Sequence, residues 1–343
     1  MQAICEVAES TRRTTYQVAG QSIVVEARDN WAAKVIEALF AGWYLTPDNS
    51  TAATKAESPA PEIVIRSTVS PPQIPPHWHQ FEIAGSGICH TDGQTSYIDI
   101  EGSIIGIGMA GHAAVEVWTN GPLELQSPVL TRVVTYALAA ALRRRRLFEL
   151  HSGAVIDPEN GKGVLIIGPS GSGKSTLTVQ LAAAGWPFLT DDVLVLSEED
   201  VEIRAWPMRR CFAITSETFA ASDFLQTRTS LDYMNAQRDD KKQFTPHGIF
   251  ASAFKEHCTP RILFFSQITG STSSQVVPMS SGETMARLIR MNPWSCYDQK
   301  TAADHLAVLA ALVKQSTAYS LLAGNDLLDP EISASLIATY TRD

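Results

Sequence analysis

At 343 residues the chain is long enough for two domains, taking about 100–200 residues per domain. With 45% hydrophobic and 18% charged residues it can bury a substantial core, which excludes a disordered chain. Its net charge of −9, from 27 basic and 36 acidic residues, argues against broad nucleic-acid binding.

Residues 1–9 carry acids and no apolar run, so no signal peptide is expected. No window reaches the ~18–20 apolar residues of a membrane span; the nearest, 129–142, is too short and contains Arg132. The cysteines, at 5, 89, 211, 258 and 296, are scattered and show no C-x-x-C spacing. That speaks against a disulfide framework or a zinc cluster and for a reducing, cytoplasmic setting.

Residues 16–26 read as strand–turn–strand, with Val18 and Ala19 before Gly20 and Ile23, Val24 and Val25 after it. Residues 30–44 read as an amphipathic helix: Trp31, Val35, Ile36, Leu39 and Phe40 recur at helical spacing, with Asp29 or Asn30 as cap. A Pro- and Ser-containing linker follows at 46–61. Short apolar runs at 63–65, 96–100, 103–107 and 113–118 read as strands of a small α/β or mostly β domain. His77 and His79 have H-x-H spacing but no third ligand nearby, and read as a loop pair without metal. Ser127 and Pro128 open a helix running to 146, with Val129, Val133, Val134, Leu138, Ala141 and Leu142 on its apolar face. Its basic end, Arg143 to Arg146, reads as a solvated helix end or a patch for an acidic partner protein. The domain boundary is placed at this helix, giving an accessory domain at 1–128 and a catalytic domain at 129–343.

From 147 the order is α/β: strands at 152–156 and 163–167, a helix at 176–184, and strands at 188–190, 193–196 and 201–204. The polar stretch 220–246 reads as a mobile insertion or lid. A strand at 261–265 and helices at 282–290 and 302–315 complete the reading, without an internal repeat.

Between the strand at 163–167 and the following helix lies Gly168-Pro169-Ser170-Gly171-Ser172-Gly173-Lys174-Ser175-Thr176, a complete G-x-x-x-x-G-K-[ST] loop. The glycines permit torsions that turn backbone N–H groups inward as an anion nest. Lys174 would reach the β- and γ-phosphates of a nucleotide, Ser175 would ligate Mg²⁺, and the helix N-terminus would face the phosphates. Phosphoryl transfer also needs carboxylates, one as base toward a hydroxyl and one for the metal; Asp191 and Asp192 supply a pair at a strand end just downstream. Lys241 and Lys242 in the lid-like stretch, or Arg204, Arg209 or Arg210, would bring positive charge to the transferring group.

His151-Ser152-Gly153, the glycine loop, and Asp191-Asp192-Val193, in that order, resemble the core of the HPr serine kinase/phosphorylase family. The resemblance spans about 151–195, roughly a fifth of the chain, and extends in general layout to relatives that phosphorylate a serine of a lasso-peptide precursor. It implies an α/β P-loop kinase domain of the HPr kinase/phosphoenolpyruvate carboxykinase type, behind a smaller α/β or α+β N-terminal domain. It implies ATP and Mg²⁺, with Asp191 as general base toward a serine hydroxyl, Asp192 on Mg²⁺ and His151 tuning the base. Ser152 stands where the family has glycine, and Thr176 where the bifunctional enzymes have an acid, so phosphorylase activity is not carried over. The family's Glu-Ile-Arg-Gly signature has a partial echo in Glu202-Ile203-Arg204-Ala205, which makes Glu202 a further metal-ligand candidate.

The expected function is therefore an ATP- and Mg²⁺-dependent kinase acting on a Ser or Thr hydroxyl of a small protein or precursor peptide. A small-molecule alcohol kinase and a nucleotide-sensing module are the alternatives. No nucleic-acid or membrane partner is expected, and self-association is left open.

Overall fold

The computed structural model describes residues 11–42, 45–47, 61–68, 71–83, 87–109, 114–209, 211–220, 222–228, 241–250, 252–292 and 298–342. The chain divides into two compact units, Met1–Arg145 with Asp298–Thr301, and Arg146–Tyr297 with Ala302–Asp343.

In the first unit, β1 (Arg12–Val18) and β2 (Gln21–Ala27) pair antiparallel across Ala19 and Gly20, at φ 48° and 72°. A two-residue turn matching the strand twist needs both central residues left-handed, which glycine adopts freely. Helix α1 (Asn30–Phe40) begins where the Asp29 carboxylate accepts from the Ala32 N–H at 2.7 Å, and it ends before the expected 44. The other Asp29 oxygen accepts from the Ser67 N–H at 2.7 Å, so one side chain ties the helix start to β4 (Ile63–Thr68). β3 (Thr46–Pro47) lies beside β1. β5 (His79–Ile83), β6 (Gly87–Thr91), β7 (Ser96–Ile100), β8 (Ser103–Ile107) and β9 (Val115–Asn120) complete a nine-stranded sheet in the order β3-β1-β2-β4-β9-β8-β7-β6-β5.

Helix α2 (Pro128–Arg144) packs on β8 and β9 and so belongs to this unit, which runs through Arg145 instead of ending at 128. Its basic end is the solvated patch expected only at Arg145 and Arg146, which are exposed. Arg143 is fully buried 3.6 Å from Asp298, Arg144 donates to Asp298 at 2.8 Å, and Arg145 pairs with Glu62. Burial works against ionisation of Asp298, but the Arg144 guanidinium, seconded by Arg143, holds its carboxyl below the usual range.

The second unit is built on an eight-stranded sheet. Its central strands are β10 (Phe148–Ile156) and β11 (Gly163–Ile167), antiparallel neighbours. Helix α3 (Lys174–Ala183) follows β11 directly, two residues earlier than expected. β12 (Phe188–Thr190) pairs with β10, while β13 (Val193–Glu199) and β14 (Glu202–Pro207) extend the sheet on that side as a hairpin. β15 (Phe212–Thr215) and β16 (Lys241–Phe244) form a separate ribbon, with α4 (Ser216–Ala220) and α5 (Asp223–Arg228) between them. These elements occupy part of the stretch expected as a lid, of which residues 221 and 229–240 lie outside the described set.

On its other side β11 runs parallel to β17 (Pro260–Ile268), which runs parallel to β19 (Thr317–Ala323); β18 (Gln275–Pro278) closes that edge. Helices α6 (Ser281–Met291), α7 (Gln299–Gln315) and α8 (Pro330–Thr341) follow. Successive side chains of a strand point to opposite faces, and β11 shows this directly. Val164 and Ile166 pack with Leu177 and Leu181 of α3 and Ile337 of α8. Leu165 and Ile167 pack with Leu288 of α6 and Leu309 and Leu312 of α7. β11 is thus buried on both faces, as the strand beside a parallel partner under helices must be. Among the described residues no helix is long and apolar enough to cross a membrane.

Candidate active site

The site grows from the end of β11. Gly168 follows its last residue, and a Cβ there would fall 2.3 Å from Ser172 Oγ and 2.8 Å from the Ser266 carbonyl oxygen, so only glycine fits. Ser266 Oγ, on β17, donates to the Ser172 carbonyl at 2.7 Å and pins the loop to the neighbouring strand. Gly171 and Gly173 are left-handed, at φ 80° and 93°, and Gly173 delivers the chain into α3. Gly153 on β10 completes the approach: a Cβ there would stand 2.2 Å from Thr178 Oγ1 of α3. The first-turn N–H groups of α3 lack intrahelical acceptors, and with the helix dipole they favour an anion at this end.

Lys174 is buried and folds back over its own loop, donating from Nζ to the Gly168 and Pro169 carbonyls at 2.8 and 2.9 Å. Ser172 Oγ is buried without a hydrogen-bond partner among the described residues. Ser175 Oγ donates to the Asp191 main-chain oxygen at 3.5 Å. The Thr176 hydroxyl points elsewhere, sharing a hydrogen bond of 2.9 Å with Thr218 of α4.

Pairing of β12 with β10 carries Asp191 and Asp192 to the head of α3, where the Ser152 N–H donates to the Asp192 carbonyl at 2.8 Å. The two carboxylates have opposite surroundings. Asp191 is fully buried; its Oδ2 accepts from the Ala213 N–H of β15 at 2.9 Å, and its Oδ1 has no hydrogen-bond partner among the described residues. Burial first, and then the Asp192 charge, raise its carboxyl to about 7. Asp192 is gripped at both oxygens, by His151 Nε2 on Oδ1 at 2.6 Å and by Arg209 Nη1 on Oδ2 at 2.8 Å. Its burial opposes ionisation, but the His151 hydrogen bond and the Arg209 cation outweigh that and hold it well below the usual carboxylate range. The two titrations are coupled, with Asp191 pushed up and Asp192 pushed down.

Not every candidate comes here. β13 runs away from Asp192, and Glu202 lies opposite Glu199 at the far end of its hairpin. Six strand residues at ~3.3 Å each make that about 20 Å. Glu202 pairs there with Arg261, and Arg204 with Glu199 at 2.7 Å, so neither joins the carboxylate pair. Lys241 and Lys242 lie on β16, opposite Thr215 and Ile214; their side chains, and Arg210 altogether, lie outside the described residues. Among the described residues no three His, Cys, Asp or Glu side chains converge as a metal site. The side chain that fits a Mg²⁺ ion is Ser175, at the head of α3, with the other oxygens coming from a bound phosphate and water, as is usual for this ion. Asp192, the sequence's metal candidate, has both oxygens already engaged.

A cleft of about 790 Å³ opens beside the loop, lined by His151, residues 167–172, the end of β17, and Arg287, Arg290 and Met291 of α6. The two arginines carry no motif; only their spacing of three on an amphipathic helix sets them on one side.

No protein-family model matches the sequence, and no curated protein sequence matches it. Among solved structures, the Hpr(Ser) kinase/phosphatase from Coxiella burnetii is similar at 12% identity, with a TM-score of 0.32, over 57% of this chain and 96% of that one. A likeness that loose carries no weight for the function.

Proposed function

We propose that the second unit transfers the γ-phosphoryl group of ATP to a serine or threonine hydroxyl of a small protein or peptide. The observation that carries this reading is the juxtaposition of a glycine loop and helix N-terminus with two carboxylates in opposite surroundings, Asp191 buried against the Ala213 N–H and Asp192 held by His151 and Arg209. Loop amides between Gly168 and Gly173 would hold the phosphate oxygens, and Lys174 would exchange its loop carbonyls for them. Bound Mg²⁺ would neutralise charge on the phosphates. Asp191 Oδ1 would take the acceptor's hydroxyl proton as the oxygen–phosphorus bond forms and the bond to the β-phosphate oxygen breaks, with ADP as leaving group. Arg209 and His151 keep Asp192 ionised, and that fixed negative charge raises the basicity of its neighbour.

Mass spectrometry of serine peptides incubated with ATP and Mg²⁺ tests this. A phosphopeptide formed by the native chain and absent with Lys174→Ala supports it. Hydrolysis of ATP with no phosphopeptide from any peptide or small protein offered sinks it.

A further inference from the structure

The cleft beside the loop has a charge pattern at odds with the rest of the molecule. The chain carries nine more acids than bases, yet among the described residues no carboxylate lines this cleft, whereas His151, which meets Asp192 behind it, Arg287 and Arg290 do. Arg287 sits with its guanidinium 5.7 Å from the centre of the Phe265 ring, and the Glu283 carboxylate, one turn back on the same helix, accepts from its Nη2 at 2.9 Å. The stem of Arg287 is therefore fixed across the cleft wall. Arg290 is exposed and has no acid paired to it among the described residues. Ser172 Oγ, buried and without a hydrogen-bond partner among the described residues, borders the same space. Beside these polar groups stands Ile268, an apolar side chain 57% exposed.

The geometry points to an acceptor-recognition subsite in this cleft, in which Arg287 and Arg290 bind a carboxylate flanking the phosphorylated hydroxyl. The acceptor is thus an acidic peptide segment. This rests on the kinase reading above and deepens it. Two neighbouring guanidiniums suit a carboxylate because each presents parallel N–H donors in a fixed fork. An acidic segment would be repelled by the molecule at large, so a local cationic cleft is the place where it would be held. Ile268 supplies apolar surface for a neighbouring side chain.

The probes are an acidic pentapeptide with a central serine and its glutamine counterpart, measured by fluorescence anisotropy with a non-hydrolysable ATP analogue present. The acidic peptide should bind on the order of tenfold more tightly, as expected for a charge-assisted hydrogen bond. That preference should vanish in Arg287→Gln/Arg290→Gln, with Arg290→Gln alone removing part of it. Equal binding of the two peptides by the native chain overturns the subsite. So does a double variant that loses affinity for the ATP analogue while keeping its peptide preference, because the anion would then belong to the nucleotide. A charge preference without phosphoryl transfer sinks the kinase reading and leaves the subsite standing. Transfer to both peptides with equal KM does the reverse.

Discussion

Two adjacent aspartates differ here because one is buried against a backbone N–H and the other is held at both oxygens by His151 and Arg209. Asp191 has its carboxyl raised to about 7, while Asp192 stays ionised throughout the physiological range. A base must be deprotonated to work, so transfer should rise with pH through about 7 and level off above it. A pH–rate profile checks this; a rate already level from pH 5 upward would contradict it. The same shift has a stability consequence of fixed sign. The folded state holds a proton that the unfolded chain releases near pH 4, so this carboxyl costs stability progressively between about 4 and about 7. Asp191→Asn should therefore raise the melting temperature relative to the native chain more at pH 8 than at pH 4.

At the scale of elements, the loop between β11 and α3 is legible because glycine spacing encodes backbone torsion and close approach. Gly168, Gly171 and Gly173 each occupy a position that sterics reserve for glycine. What the sequence could not supply is register. The Ala213 N–H on Asp191 comes from a ribbon whose strand β15 carries no strong alternation, and Arg209 reaches Asp192 only because β14 folds back beside β13. Glu202 misled for the same reason: a short echo of a motif says nothing about which end of a hairpin it occupies. Glu202→Gln should accordingly change transfer less than twofold, read as kcat/KM; a hundredfold loss would return it to the site. The edge strands β5 and β18 are also not legible in the sequence. β5 and β18 are short and largely exposed, so hydrophobic alternation, the main strand signal, is faint there.

Across the whole molecule, chain order and compact units do not coincide. Residues Asp298–Thr301 belong with the first unit, although the chain on either side of them lies in the second. Their anchor is Asp298, which answers two arginines at the end of α2, one of them wholly buried. An arginine run reads as a solvated surface until its acids are found, and this acid lies 154 positions away in sequence. Asp298→Ala leaves Arg143 buried without that carboxylate and should cost about 3 kcal/mol, read from chemical denaturation. A loss below about 1 kcal/mol would mean that water reaches the arginine.

We propose that Asp191 acts as the base for phosphoryl transfer beside the glycine loop. The direct measurement is Asp191→Asn assayed twice on one preparation, for affinity toward an ATP analogue and for phosphopeptide formation. Nucleotide affinity should stay within a few-fold of the native chain, with transfer reduced on the order of 10²-fold or more. Transfer at the native rate would contradict it.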